Sequence, residues 1–295
     1  MCEVRDVKAV FGFMRLKGIG VSRTNKELLA FSRRLDINIG LEEYLYSSLK
    51  NEQQEEYALL CDKEVNHRYS QDVRFSMVIE GTYPQSLRGL LKMSTPPVLS
   101  MLGNPELLGN RKIGFSGSRK VSDTGLAITR DCAFQLSTIP GVSIVSGYAQ
   151  GVDREAHYTA LASGGSTIIV LPNGMSEFYV RKDLGDVWDW KRVLVISEYL
   201  PEDKWSVARA MNRNRTIIGI SDAMLVAEAG STGGSLDAGK RTLSDGKPLF
   251  VPCYASYPES ASGNDQLLRQ GAIPILRNRQ TKRANVDKMI GMLAV

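Results

Sequence analysis

Cysteine and histidine are scarce. Four cysteines (Cys2, Cys61, Cys132, Cys253) stand far apart with no Cys-x-x-Cys pair, and only two histidines occur in 295 residues. A zinc site of closely spaced ligands and a disulfide framework are both excluded as expectations. Long apolar runs are lacking too: none reaches the ~18–20 residues that cross a bilayer. The first ten residues carry Glu3, Arg5, Asp6 and Lys8, not the basic-then-apolar pattern of a signal peptide. The expectation is a cytoplasmic protein without a membrane partner. Neither Gly-x-Gly-x-x-Gly nor a Gly-x-x-x-x-Gly-Lys-[Ser/Thr] loop is read at the strand ends, and the sequence offers no nucleophile beside a histidine base, no metal cluster and no obvious pair of catalytic carboxylates. No cofactor, no metal and no catalytic residue are expected.

Charge is unevenly spread. Residues 1–110 hold 14 Lys/Arg and 14 Asp/Glu, while residues 111–295 hold 23 and 18, so the second part carries the whole net charge of +5. A basic unit beside a neutral one suits a polyanionic partner or an ordinary solvated surface.

Residues 7–65 read as helical from apolar spacing such as Leu41, Tyr44, Leu45 and Leu49. Within them, Leu16-Lys17-Gly18-Ile19-Gly20 resembles a helix-hairpin-helix turn, whose backbone N–H groups can hold a phosphate. Two short extended runs, Phe75–Ile79 and Val98–Leu102, follow between proline punctuation. From residue 111 apolar strands (113–116, 143–146, 167–171, 193–197, 223–227, 248–251, 273–276) alternate with helical segments (123–138, 152–163, 177–189, 206–220, 235–245, 263–270). That alternation predicts an α/β fold: a doubly wound, Rossmann-like, mostly parallel sheet behind a small N-terminal helical domain. The expected division is a helical domain over 1–70, a Rossmann-like domain over 71–285 and a C-terminal helix over 286–295.

Ligands of such sheets bind outside the carboxyl ends of the strands. Four loops there favour anions. The first is Gly117-Ser118-Arg119-Lys120. The second runs from Ser146-Gly147 through Gly151 to Asp153, with His157 a helical turn beyond. The third is Asn212-Arg213-Asn214-Arg215, read either as a helix start where two guanidiniums approach N-terminal amides or as a surface helix with its two arginines on different faces, the glycine turns nearby favouring the former. The fourth is Glu228 followed by Gly233-Gly234-Ser235. Asp153 is expected to cap its helix or orient Arg119, His157 to be a structural residue more often than a base, and Glu228 to meet a sugar or an arginine.

Taken in order, Tyr83-Pro84, Pro96-Pro97-Val98-Leu99, Gly117-Ser118-Arg119, Ser146-Gly147-x-Ala149-x-Gly151-x-Asp153 with Ala156-His157, and Ser197-Glu198-Tyr199 resemble the DprA/Smf (DNA-processing A) family. So do Arg213-Asn214-Arg215, Gly219-x-Ser221, Glu228-Ala229, Gly234-Ser235-Leu236, Ser262-Gly263-Asn264 and Gly271-Ala272. The chain departs from that pattern at Gln150, at Ala210-Met211 and at Pro252-Cys253. The resemblance implies single-stranded DNA binding in a basic pocket formed by Gly117, Ser118, Arg119, Arg213 and Arg215, with double-stranded DNA bound more weakly. It also implies homodimerisation and delivery of DNA to a RecA-type recombinase. A nucleotide-binding sensor or phosphoribohydrolase-like enzyme on a related scaffold, in phage defence for example, is the alternative. The loop Gly230–Asp237 lacks the catalytic glutamate spacing of that group.

Overall fold

Strands that are apolar on both faces need helices on both sides, and the chain supplies them. The computed structural model describes residues 3–34, 39–66, 72–281 and 283–293. Cys2, Lys282 and the expected boundary between residues 70 and 71 lie outside the described residues.

Four helices come first: α1 (Val4–Arg15), α2 (Val21–Ser32), α3 (Leu41–Ser47) and α4 (Asn51–Asn66). The turn between α1 and α2 passes through Gly18 at φ +80°, a conformation that glycine adopts without strain. Phe13 packs edge-on against Tyr57 of α4 at 6.1 Å, and Tyr57 donates its hydroxyl to the Ala9 carbonyl.

Nine strands form one sheet among the described residues: β1 (Arg74–Met77), β2 (Val98–Gly103), β3 (Arg111–Ser116), β4 (Val142–Ser146), β5 (Ser166–Leu171), β6 (Val193–Ser197), β7 (Ala223–Val226), β8 (Leu249–Pro252) and β9 (Ile273–Ile275). Their order is β1-β2-β6-β5-β4-β3-β7-β8-β9. From β6 to β9 every pairing is parallel, whereas β1 and β2 join antiparallel at one side. The connecting helices are α5 (Gln85–Leu91), α6 (Asp123–Ser137), α7 (Val152–Ala162), α8 (Val207–Ile220), α9 (Gly234–Ser244) and α10 (Asn264–Arg269), with α11 (Asp287–Leu293) at the end. The chain winds outward from β3 through β4, β5 and β6, then returns to β7 on the other side of β3. This is the doubly wound arrangement, and its reversal of direction lies between β3 and β7.

Neighbouring residues of one strand feed opposite cores. Ile144 lies with Ile113, Phe115 and Ala133 on the α6–α7 side, while Val145 lies with Ile168, Leu194 and Ile218 on the other. The second core continues unbroken into the helical segment through Met77, Phe11 and Val7, and Phe11 meets Phe75 edge-on at 6.2 Å. Asn25 of α2 fastens the same junction, donating to the carbonyls of Met93 and Thr95.

The helix expected over 177–189 does not form. Two short 3-10 turns, Met175–Glu177 and Lys182–Val187, stand there. Phe178, Trp188 and Trp190 pack on one another at 5.1–6.3 Å, and the Arg181 amide donates to the Tyr148 hydroxyl. Aromatic packing and that backbone bond hold a folded loop where apolar spacing suggested a helix.

Candidate nucleic-acid interface

Two clefts open at the carboxyl ends of the central strands. The first, about 400 Å³, is lined by Arg119, Gly147, Tyr148, Asn173, Tyr179, Arg181, Trp205 and Arg213, among others. The second, about 500 Å³, is lined by Gly117, Ser118, Arg119, Lys120, Asp153, Trp205, Arg213, Asn214 and Gly234, among others. Arg119, Ala149, Trp205 and Arg213 line both, so the clefts are two lobes of one crevice. Its charged lining has four cationic groups (Arg119, Lys120, Arg181, Arg213) against Glu177 and Asp153.

The loops are held in place by glycines and buried polar groups. Gly151 begins α7 at φ +79°, and a β-carbon there would lie 2.3 Å from the Ser118 carbonyl oxygen. Only glycine lets these two loops touch. Asp153 is buried and accepts the Ala149 amide at 3.2 Å, closing the turn after β4. Ser122 caps α6 by accepting from the Gly125 amide at 3.0 Å, and Ser206 caps α8 by accepting from Arg209 at 3.2 Å.

The two arginines differ. Arg119 and Lys120 are exposed at the rim, and the Arg119 guanidinium lies 5.8 Å from the centre of the Trp205 ring. Arg213 is only 5 % exposed. Its Nη1 donates to the Val170 carbonyl at 2.6 Å, and its Nε has no hydrogen-bond partner in the protein. Burial pushes its pKa down from the ordinary arginine value, with Asp153 opposing the shift.

Several expected site residues serve the scaffold instead. Ser146 is fully buried and its hydroxyl donates to the Phe115 carbonyl at 2.7 Å, which leaves it no anion to bind. Glu228 faces the scaffold, bonded to Ser122 and Tyr254 and not to an arginine. It is fully buried and accepts from the Ser122 amide at 2.9 Å, the Ser122 hydroxyl and the Tyr254 hydroxyl at 3.1 Å. It thereby ties the loops after β3 and β7 together at the point where the sheet reverses direction.

His157 is wholly buried against β5, with Nδ1 2.7 Å from the Thr167 hydroxyl. That hydroxyl donates its proton to the Ile144 carbonyl at 2.9 Å, so Nδ1–H is the donor toward Thr167 and Nε2 is left unpartnered. Burial, with Arg213 and Arg181 nearby, pushes its pKa down to about 3.

The Asn212–Arg215 run is not at a helix start. Helix α8 begins at Val207, so these residues lie past its first turn, away from the free amides. The helix also divides them: Arg213 and Asn214 face the crevice, whereas Asn212 and Arg215 line a separate cavity of about 430 Å³ with Gly20, Pro96, Glu198 and Tyr199. Two residues along a helix are rotated to different faces, which is the physical reason. Gly234 lines the crevice; its neighbours Gly233, at φ +101°, and Ser235 flank it without lining it.

Sequence reasoning missed Trp205, Tyr148, Tyr179 and Arg181. The signal for Trp205 was a tryptophan set between polar residues in the loop after a strand's carboxyl end. Among the described residues, no three of His, Cys, Asp and Glu group so as to hold a metal ion. No helix there is long and apolar enough to cross a membrane.

Fold and crevice define a doubly wound α/β protein with a cationic, glycine-lined groove at its topological switch point. Residues 74–284 match the family model described as DNA recombination-mediator protein A. The chain belongs to that family. It is 31 % identical over 220 residues to the DNA processing protein DprA of Streptococcus pneumoniae, covering 74 % of this chain and 76 % of that one. It is 29 % identical over 229 residues to the Bacillus subtilis DprA, covering 77 % and 75 %. The solved structure of DprA from Streptococcus pneumoniae superposes with a TM-score of 0.77 at 25 % identity, covering 93 % of this chain and 95 % of that one. A second solved structure, describing the single-stranded DNA binding mode of DprA from Helicobacter pylori, superposes with a TM-score of 0.61 at 26 % identity, covering 75 % and 96 %.

Proposed function

We propose that the protein binds single-stranded DNA along the two-lobed crevice, prefers it to duplex, and presents it as a homodimer to a RecA-type recombinase. The observation that carries the reading is the pairing of an exposed Arg119 with a buried Arg213 on the lining of both lobes. Arg119 and Lys120 reach phosphates from the rim, and Arg213 adds a fixed positive charge behind the glycine turn at Gly147. Charge-assisted contacts to phosphate oxygens suit such a lining. The binding mode named for the Helicobacter pylori relative supports the same ligand here.

Fluorescence anisotropy with labelled oligo-dT and a matching duplex, at two salt concentrations, tests it. Binding is expected to fall steeply as salt rises, by roughly 0.7 logarithmic units per neutralised single-strand phosphate for each tenfold rise. The double variant Arg119→Ala, Arg213→Ala is expected to lose the oligonucleotide. Unchanged binding by that variant overturns the assignment of the crevice. Stimulation of strand exchange by a RecA-type recombinase, measured with and without the protein, tests the mediator step.

A further inference from the structure

We propose that Trp205 is a base-stacking platform and that it, not the cationic lining, makes the crevice discriminate unpaired from paired strands. The proposal rests on the DNA-binding reading and assigns a role within that site.

Trp205 lies in the loop before α8 and is 51 % exposed, unusual for so large an apolar side chain. It belongs to the lining of both lobes, so it stands where a strand passing from one to the other must run. The other two tryptophans are accounted for by packing: Trp188 and Trp190 meet edge-to-face at 5.1 Å and both contact Phe178. The Trp205 ring instead meets the Arg119 guanidinium, whose centre lies 5.8 Å from the ring centroid. A guanidinium beside an indole gives adjacent sites for the two halves of a nucleotide, one for the phosphate and one for the base. Tyr179, 70 % exposed, adds a second open ring to the first lobe.

Arginine contacts to phosphate read no base, and duplex and single strand both offer phosphates. Stacking tells the two apart. In a duplex each base already lies between its neighbours, and an indole must displace one of them. In a single strand a base is free to lie on the ring.

The test compares wild type, Trp205→Ala and Trp205→Phe on three labelled ligands: oligo-dT, an abasic oligomer of the same length, and duplex. Wild type is expected to bind oligo-dT more tightly than the abasic oligomer. Trp205→Ala is expected to weaken oligo-dT binding by roughly five- to hundredfold, the range for one lost base stack, and the abasic oligomer and duplex much less. Trp205→Phe keeps most of the affinity, because a smaller ring still stacks. Tryptophan emission is expected to be quenched by oligo-dT in wild type and much less in Trp205→Phe. If wild type binds oligo-dT and Trp205→Ala binds it equally, or loses all three ligands equally, the stacking role is wrong while DNA binding stands. If wild type binds none of the three, the DNA-binding reading itself falls and the stacking role with it.

Discussion

Gly147 and Arg213 are packed so closely that a β-carbon on Gly147 would lie 1.8 Å from Arg213 Nη1. The guanidinium therefore occupies the space a side chain would need, and it is locked there by the bond from Nη1 to the Val170 carbonyl. Gly147→Ala is expected to push the guanidinium out of its seat and break that bond. The cost to stability is expected to be about 1–3 kcal/mol, the range for overpacking a filled site. Oligo-dT affinity should fall nearly as far as in Arg213→Ala. Thermal unfolding and anisotropy on the same preparation check both halves. Retained affinity would show that the position of Arg213 does not matter.

Arg213 itself illustrates a conflict between stability and binding. A buried guanidinium with an unpartnered Nε is expensive, but removing it alone leaves the Val170 carbonyl without that donor and the buried Asp153 without the nearby charge, and loss of one side of a buried charge interaction destabilises. Arg213→Met is therefore expected to lower the unfolding midpoint modestly, while oligo-dT affinity drops at least tenfold. A large fall in midpoint would mean that the guanidinium holds the fold together and is not kept for its charge.

How much of this was legible in the sequence differs from residue to residue. The strands from β3 to β9 were readable because each is a short apolar run with a break on either side. The glycine turns were readable because the strand ends locate them. That Ser146 and Glu228 face inward was not, because Ser146 bonds Phe115, 31 residues away, and Glu228 bonds Ser122 and Tyr254, 106 and 26 residues away, partners brought close only by the fold. The separation of Arg213 from Arg215 was available in principle, since helical geometry rotates alternate residues apart. The glycine turns near the Arg-Asn-Arg run weigh toward a shared anion site, and the position of the run well inside α8 lets the rotation prevail. The missing helix over 177–189 has a different cause: three aromatic side chains found each other in space, a contact that periodicity along the chain does not encode.

Glu228 separates a scaffold role from a ligand role. Its carboxylate receives an amide and two hydroxyls, one of which belongs to the residue that caps α6. Glu228→Ala leaves the half-buried Ser122 amide without its acceptor. It is expected to destabilise the protein by about 2–4 kcal/mol, from charge-assisted bonds lost and a donor left unsatisfied. Folded Glu228→Ala, assayed well below its unfolding temperature, should bind oligo-dT within about threefold of wild type, a difference of ~0.6 kcal/mol. Urea unfolding and anisotropy decide the matter, and a variant that stays stable but loses DNA would return Glu228 to the ligand.

His157 makes stability depend on pH in a window that follows from its burial. Its folded pKa is pushed down to about 3, whereas an unfolded histidine titrates near ~6.5. The folded state keeps the imidazole neutral, so below ~6.5 the unfolded chain binds a proton that the folded chain does not. Stability should therefore be full above that value and fall as the pH drops toward 3, at up to ~1.4 kcal/mol per pH unit once the unfolded histidine is fully protonated. Most carboxylates titrate below about pH 5, and comparison with a His157 variant between pH 6.5 and 5 separates this group from His67 and from Glu198, whose pKa burial raises. His157→Asn keeps a donor for the Thr167 hydroxyl but carries no titrating ring. The variant is expected to show a lower urea midpoint at pH 8, from lost packing, and a flatter dependence between pH 6.5 and 5 than wild type. Parallel curves for the two proteins across that range would mean that His157 takes up its proton in the folded state, and that the site around Thr167 opens to water.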